Sequence, residues 1–166
     1  MFKIGEQVFY GGHGVCVIEE ITEMTFSNET KQFYKLKSHT QPQLSLFHPV
    51  ETDQPKISKM MAKEEAQQIL NIFKEPASEW TERSIDRARE YKKILETKDS
   101  KQIAQMINTI LRKEKELVEI DKKLYAQDQE VIRQVYAILC DELSICLNLT
   151  REAVVNEITN SICITN

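Results

Sequence analysis

Trp80, with Arg83 three residues on and Arg87 a further four, is the grouping whose chemistry the sequence advertises best. An indole is a flat apolar wedge that can enter a minor groove beside a distorted base step, offsetting roughly a few kcal/mol of unstacking. Two arginines four apart on a helix lie within about 40° of each other, free to meet phosphates next to such a wedge. The same residues have a plainer reading. A lone tryptophan after a Pro-containing break can simply pack at a domain junction. The arginines can pair locally with Glu79 and Glu90 on a solvated face, while Glu82 and Asp86 on another face repel DNA. Catalytic patterns do not stand out. Gly11-Gly12-His13-Gly14 lacks the Lys-Ser/Thr of a phosphate loop and joins two strands, so it reads as a tight turn. His13 has no cluster of partners in sequence, and His39 and His48 lie in loop-like surroundings. Cys16, Cys140, Cys146 and Cys163 are widely spaced with no CxxC pair, which argues against a zinc ribbon or a redox motif. They read as reduced core thiols. No nucleophile–base or paired-carboxylate arrangement appears either. The expectation is a non-enzymatic protein with no metal, no cofactor and no small-molecule substrate.

The elements that must position Trp80 follow from pattern. Residues 1–50 read as β: Gln7–Tyr10, Val15–Phe26, Lys31–Lys37 and Gln43–Phe47 are strand-like runs, with turns at Gly11–Gly14 and Ser27–Glu29. Four or five short strands in so few residues predict a small SH3-like or Tudor-like barrel. Two prolines and several polar residues in His48–Pro55 mark a connection. Helices follow at Ser58–Lys74, about Thr81–Glu96, from Asp99 onward, about Lys122–Leu147 and Thr150–Ile162. Asp99 and Gln102 have capping-box spacing, with Ile103, Met106, Ile107 and Ile110 on one stripe behind them. In the helix after Trp80, Ile85, Ala88, Tyr91 and Leu95 share a side that should face the core. The fold class expected is α+β, a β-barrel over 1–55 and an all-α helical bundle over 56–166.

Composition limits the partners. With 41% hydrophobic and 29% charged residues in 166, the chain is that of an ordinary soluble protein. No apolar run approaches the ~20 residues needed to span a bilayer, and Met-Phe-Lys-Ile-Gly-Glu has no apolar leader core, so a cytoplasmic protein without membrane contact is expected. A net charge of −4 is unusual for a nucleic-acid binder. Residues 79–123, however, hold 12 Lys and Arg against 10 Asp and Glu, so the helical middle is the least acidic region. DNA binding is expected to be weak alone. Leu44-Ser45-Leu46-Phe47 suggests a second surface, an exposed strand edge able to add a partner strand. The alternative is that Leu44, Leu46 and Phe47 fill the barrel core.

Gly5, Val8, Tyr10, His13, Gly14 and Ile18, then Trp80 with Arg83, the Asp99 helix start, Leu124 and Glu142-Leu143, occur in an order that resembles the CarD-like family of bacterial transcription regulators. The resemblance covers nearly the whole chain. It implies an N-terminal Tudor-like domain that binds the RNA polymerase β subunit. It also implies a helical domain whose tryptophan wedges into the minor groove at the upstream edge of the promoter bubble, stabilising the open complex. On that basis Trp80, Arg83 and Arg87 are the expected DNA contacts, and Met24, Leu44, Leu46 and Phe47 the expected polymerase contacts. Some departures are visible. Gly11 replaces the family's usual proline, Met24 and Phe47 stand where some members have polymerase-contacting arginines, and Glu82 and Ile85 replace basic residues after the tryptophan. Polymerase tethering would therefore carry much of the DNA affinity. The competing reading is a non-DNA-binding adaptor for polymerase or a repair translocase.

Overall fold

A computed structural model of the chain describes residues 1–53 and 56–164. It divides into two compact units, Met1–Met61 and Ala62–Asn166. The first is an antiparallel five-stranded sheet of β1 (Gln7–Tyr10), β2 (Gly14–Phe26), β3 (Glu29–Ser38), β4 (Ser45–Pro49) and β5 (Ile57–Lys59), in the order β4-β3-β2-β1-β5. β1 to β4 fall where alternation predicted them. Ser27 and Asn28 both have positive φ, 49° and 67°, and Phe26 pairs with Glu29. This two-residue primed turn matches the twist of the strands it joins. Alternation then fills one face of the sheet: Val8, Tyr10, Cys16, Ile18, Tyr34, Leu36 and Ile57 form its core, with Phe2, Ile21, Leu46 and Val50 packed against them.

Two expectations are corrected here. The sheet is open, with β4 and β5 as its edges, and is not a closed barrel. Ser58 and Lys59 are not the start of a helix, which begins only at Lys63. Ile57 pairs with Tyr10, Ser58 with Phe9 and Lys59 with Val8, which draws the segment into the sheet. Ile57 is buried in the core this pairing completes. Of the expected connection, His48 and Pro49 belong to β4, and Gln54 and Pro55 lie outside the described residues.

The second unit consists of α1 (Lys63–Ile72), α2 (Ser84–Thr97), α3 (Ser100–Glu119), α4 (Ala126–Val131), a π-helical segment (Ile132–Tyr136) that continues into α5 (Ala137–Leu147), and α6 (Arg151–Ile164). α3 begins where predicted. The Asp99 carboxylate accepts from the backbone amides of Lys101 and Gln102 at 2.9 and 3.2 Å, satisfying two of the orphan donors of the first turn. The Gln102 side-chain amide donates to that carboxylate and does not accept from the cap's own N–H, which donates to Thr97 Oγ1. Ile69, Leu70, Phe73, Ile107, Ile110, Leu143, Val154 and Ile158 are among the unit's buried apolar residues. Among the described residues no helix is long and apolar enough to cross a membrane.

α2 presents a different face inward from the one its apolar periodicity indicates. Ile85 is 60% exposed, and Ala88 and Leu95 also face solvent. The inward stripe is Arg87, Tyr91 and half-buried Ile94, about a quarter turn away. The cause is a charge partner far along the sequence.

Candidate functional site

Trp80 sits in the non-helical stretch between α1 and α2, and that stretch is fixed on both sides of it. Upstream, α3 supplies the donors and acceptors. Asn108 Nδ2 donates to the carbonyls of Ile72 and Glu75 at 3.2 and 3.0 Å, and Arg112 donates to that of Phe73 at 3.0 Å. Gln105 Nε2 donates to the Pro76 carbonyl and the Ser78 hydroxyl, both at 3.1 Å, and the Ser78 amide donates to Thr109 Oγ1 at 3.0 Å. Downstream, Arg87 Nη1 donates to the carbonyls of Thr81 and Glu82, both at 2.8 Å. Between these anchors the indole is half-buried, with the Arg87 guanidinium carbon 4.4 Å from its ring centroid.

Arg87 is itself buried, at 2% exposure, against a fully buried carboxylate, Asp128 in the first turn of α4. The pair is bidentate: Nε to Oδ1 at 3.1 Å and Nη2 to Oδ2 at 2.7 Å. The Tyr91 hydroxyl donates to the same Oδ1 at 2.9 Å. The Asp128 hydrogen bond holds the guanidinium pKa above its ordinary value, so its charge is permanent. Burial, followed by the bond to Asp128, pushes the Tyr91 hydroxyl up, so it remains a donor at any physiological pH. Gln127 Nε2 adds a 2.5 Å bond to the Ser84 carbonyl, so one turn of α4 grips the start of α2 at two points. This arrangement overturns the expectation that Arg87 is free to meet phosphates. Its guanidinium makes four hydrogen bonds inside the protein and lies against Trp80. A buried fork–fork pair of this kind is rigid, and either partner is costly to remove alone.

Arg83 is the extended residue at the N-terminal cap of α2, not a residue within the helix as its spacing to Arg87 suggested. Its side chain is exposed, with only a 3.6 Å contact to Asp86 that water screens. Lys113 on α3, which sequence reasoning missed, brings its ammonium to 5.8 Å from the Trp80 centroid while pairing with Glu116 at 2.9 Å. Lys113 is 33 positions from Trp80, and only the packing of α3 brings it there. Carboxylates also crowd the site. Glu79 and Glu82 are exposed, and Glu90 accepts the Thr81 hydroxyl proton at 3.0 Å.

On the sheet, strand register separates the four expected contact residues. Phe47 pairs with Lys35 and is 42% exposed. Thr22 pairs with Phe33 and Met24 with Lys31, so Met24, Phe33 and Phe47 share the outward face, where Phe26 stacks edge-on against Phe33 at 5.8 Å. Leu46 pairs with Leu36 and turns inward to the core, so that residue offers a partner its backbone and little side chain. Leu44 is half-buried just before β4.

Two family models match in tandem: CarD-like/TRCF RID domain over residues 2–61, and CarD, C-terminal domain over residues 68–159. The chain belongs to the CarD-like family. The first match covers the sheet unit, and the second runs from α1 into α6. A similar protein is the "Putative transcription factor YdeB" of Bacillus subtilis (strain 168), 23% identical over 160 residues, which span 93% of this chain and 97% of that one. Family membership and this relative together support a transcription-related role for this CarD-like chain.

Proposed function

We propose that the protein is a transcription regulator that binds the β subunit of RNA polymerase through its sheet unit and promoter DNA through its helical unit, stabilising the open complex. The observation that carries this reading is a half-buried indole on a backbone pinned both upstream and downstream, with an exposed arginine three residues away. A wedge entering a base step must not collapse into its own protein, and the ordering cost of binding is lowered when its position is already fixed. Arg83 supplies a phosphate contact, joined by Lys113 once Glu116 releases it. The β4 edge and the outward Met24, Phe33 and Phe47 supply an apolar polymerase contact in place of a charged one.

The test is the open-complex lifetime on a promoter with the cognate polymerase. Wild-type protein should lengthen it. Trp80→Ala, still bound to polymerase, should return it close to the lifetime without the protein. An unchanged lifetime with a folded Trp80→Ala variant would refute the wedge. One observation favours a second reading, an adaptor for polymerase or a repair translocase that leaves DNA alone: Glu79, Glu82 and Asp86 lie on the surface around the proposed wedge. Activity that does not vary with salt, together with an unaltered promoter footprint, would decide for the adaptor.

A further inference from the structure

We infer that Asp128 is a positioning residue for the proposed wedge, acting on Trp80 through Arg87 although it touches neither the indole nor any surface a nucleic acid reaches. The inference rests on the reading of Trp80 as a wedge and adds to it a specific control of where the wedge points.

The geometry is a relay of fixed parts. Asp128 is fully buried and holds the Arg87 fork by two bonds, with the Tyr91 hydroxyl fixing the same carboxylate oxygen. So held, the guanidinium has one position, and from it two groups are set together. Its carbon lies over the Trp80 ring, 4.4 Å from the centroid, and its Nη1 holds the carbonyls of Thr81 and Glu82, the two residues that follow Trp80. Arg87 thus places both the ring and the backbone carrying it. The other surroundings do not fix the ring as firmly. A hollow of about 240 Å³, lined by Trp80, Ile94, Met106 and Ile110 among others, adjoins it. An indole next to open space keeps its orientation only where something else holds it. A planar guanidinium does so by stacking, which an ammonium in its place would not reproduce. The Tyr125 ring, 5.5 Å from the same guanidinium carbon, borders it as well. Tyr125 caps α4 just ahead of Asp128, so one short segment presents both groups to Arg87.

Because Trp80 is the chain's one tryptophan, its fluorescence reports the relay without any DNA. The experiment compares wild type, Asp128→Asn, Arg87→Lys and the paired apolar variant Arg87→Met/Asp128→Leu, each checked for helix content by circular dichroism and for polymerase binding. Readouts are acrylamide quenching of Trp80 and open-complex lifetime. The expected result is that folded, polymerase-bound variants show quenching raised about two-fold or more. Their lifetime should fall most of the way to that of Trp80→Ala, and Asp128→Asn should shorten it no further in a Trp80→Ala background. If Asp128→Asn fails to fold, the paired variant carries the test, since it leaves no buried charge unpartnered. Wild-type quenching and wild-type lifetime in any folded variant that lacks the ion pair would overturn the proposal. Altered quenching with a wild-type lifetime would overturn it too. In that case the Trp80→Ala control separates the causes: a short lifetime there keeps the wedge and removes only the relay, and an unchanged one removes the wedge itself.

Discussion

The two arginines near Trp80 are alike in sequence and opposite in physics, and substitution should show it. Arg83 is solvated with a screened partner, so Arg83→Ala should change stability by less than about 0.5 kcal/mol. If it meets a phosphate, the same change should weaken promoter engagement uniformly across sequences. It should also reduce the slope of log affinity against log salt by about 1, measured on polymerase-tethered complexes. Arg87→Ala strands a buried carboxylate, and urea unfolding should register a loss of about 3–5 kcal/mol. Tyr91→Phe removes one hydrogen bond to that carboxylate and leaves the ion pair, so its cost should be nearer 1–2 kcal/mol. A stability loss from Arg83→Ala as large as that from Arg87→Ala would contradict this assignment of roles.

At the scale of elements, local signals were readable and distant pairings were not. The four strands alternate visibly, Asp99 announces α3, and Gly11–Gly14 reads as a turn because each signal lies within a few residues. β5 was hidden because Ile57–Lys59 acquires strand geometry only by pairing with Val8–Tyr10, nearly fifty residues earlier, and three residues with one apolar member, Ile57, show no alternation of their own. α2 was misoriented for a related reason. Apolar periodicity assumes that charges face water, whereas Arg87 turns inward to meet Asp128 41 residues later. Ile85 and Leu95 are left outside as a consequence. Ile85→Lys should therefore be tolerated within about 0.5 kcal/mol, a result incompatible with a core-facing Ile85. At the other candidate surface, the stripe of Met24, Phe33 and Phe47 became visible only with the register of β2, β3 and β4. Phe47→Asp places a charge at the β4 end of that stripe. It should weaken polymerase binding by about ten-fold or more with little effect on stability, because Phe47 does not belong to the core. Equal binding by wild type and Phe47→Asp would move the polymerase contact away from this face.

Across the whole molecule the two units carry different chemistry, which makes them separable by pH. All three histidines, His13, His39 and His48, belong to the sheet unit, and the tryptophan belongs to the helical one. His48 is 6% exposed beside the Tyr10 ring, and its Nε2 has no hydrogen-bond partner among the described residues. Burial and the nearby Lys56 ammonium lower its pKa below the ordinary 6.5, so the folded sheet holds the imidazole neutral. An unfolded chain takes up that proton first as the pH falls, so it binds more protons than the folded one below pH 6.5. The contribution to stability is complete above that value and is lost as the pH drops through the lowered pKa. Acidification from about pH 7.5 to about pH 5.5 should thus lower the hydrogen-exchange protection factors of β1, β3 and β4, taken against the intrinsic rate at each pH, while urea unfolding followed by Trp80 fluorescence changes little. His48→Leu should abolish the acid sensitivity of the strands, since it leaves nothing there to protonate. Persistence of that sensitivity in His48→Leu would transfer its origin to other groups, and a matching loss in the Trp80 signal would mean that the two units unfold as one.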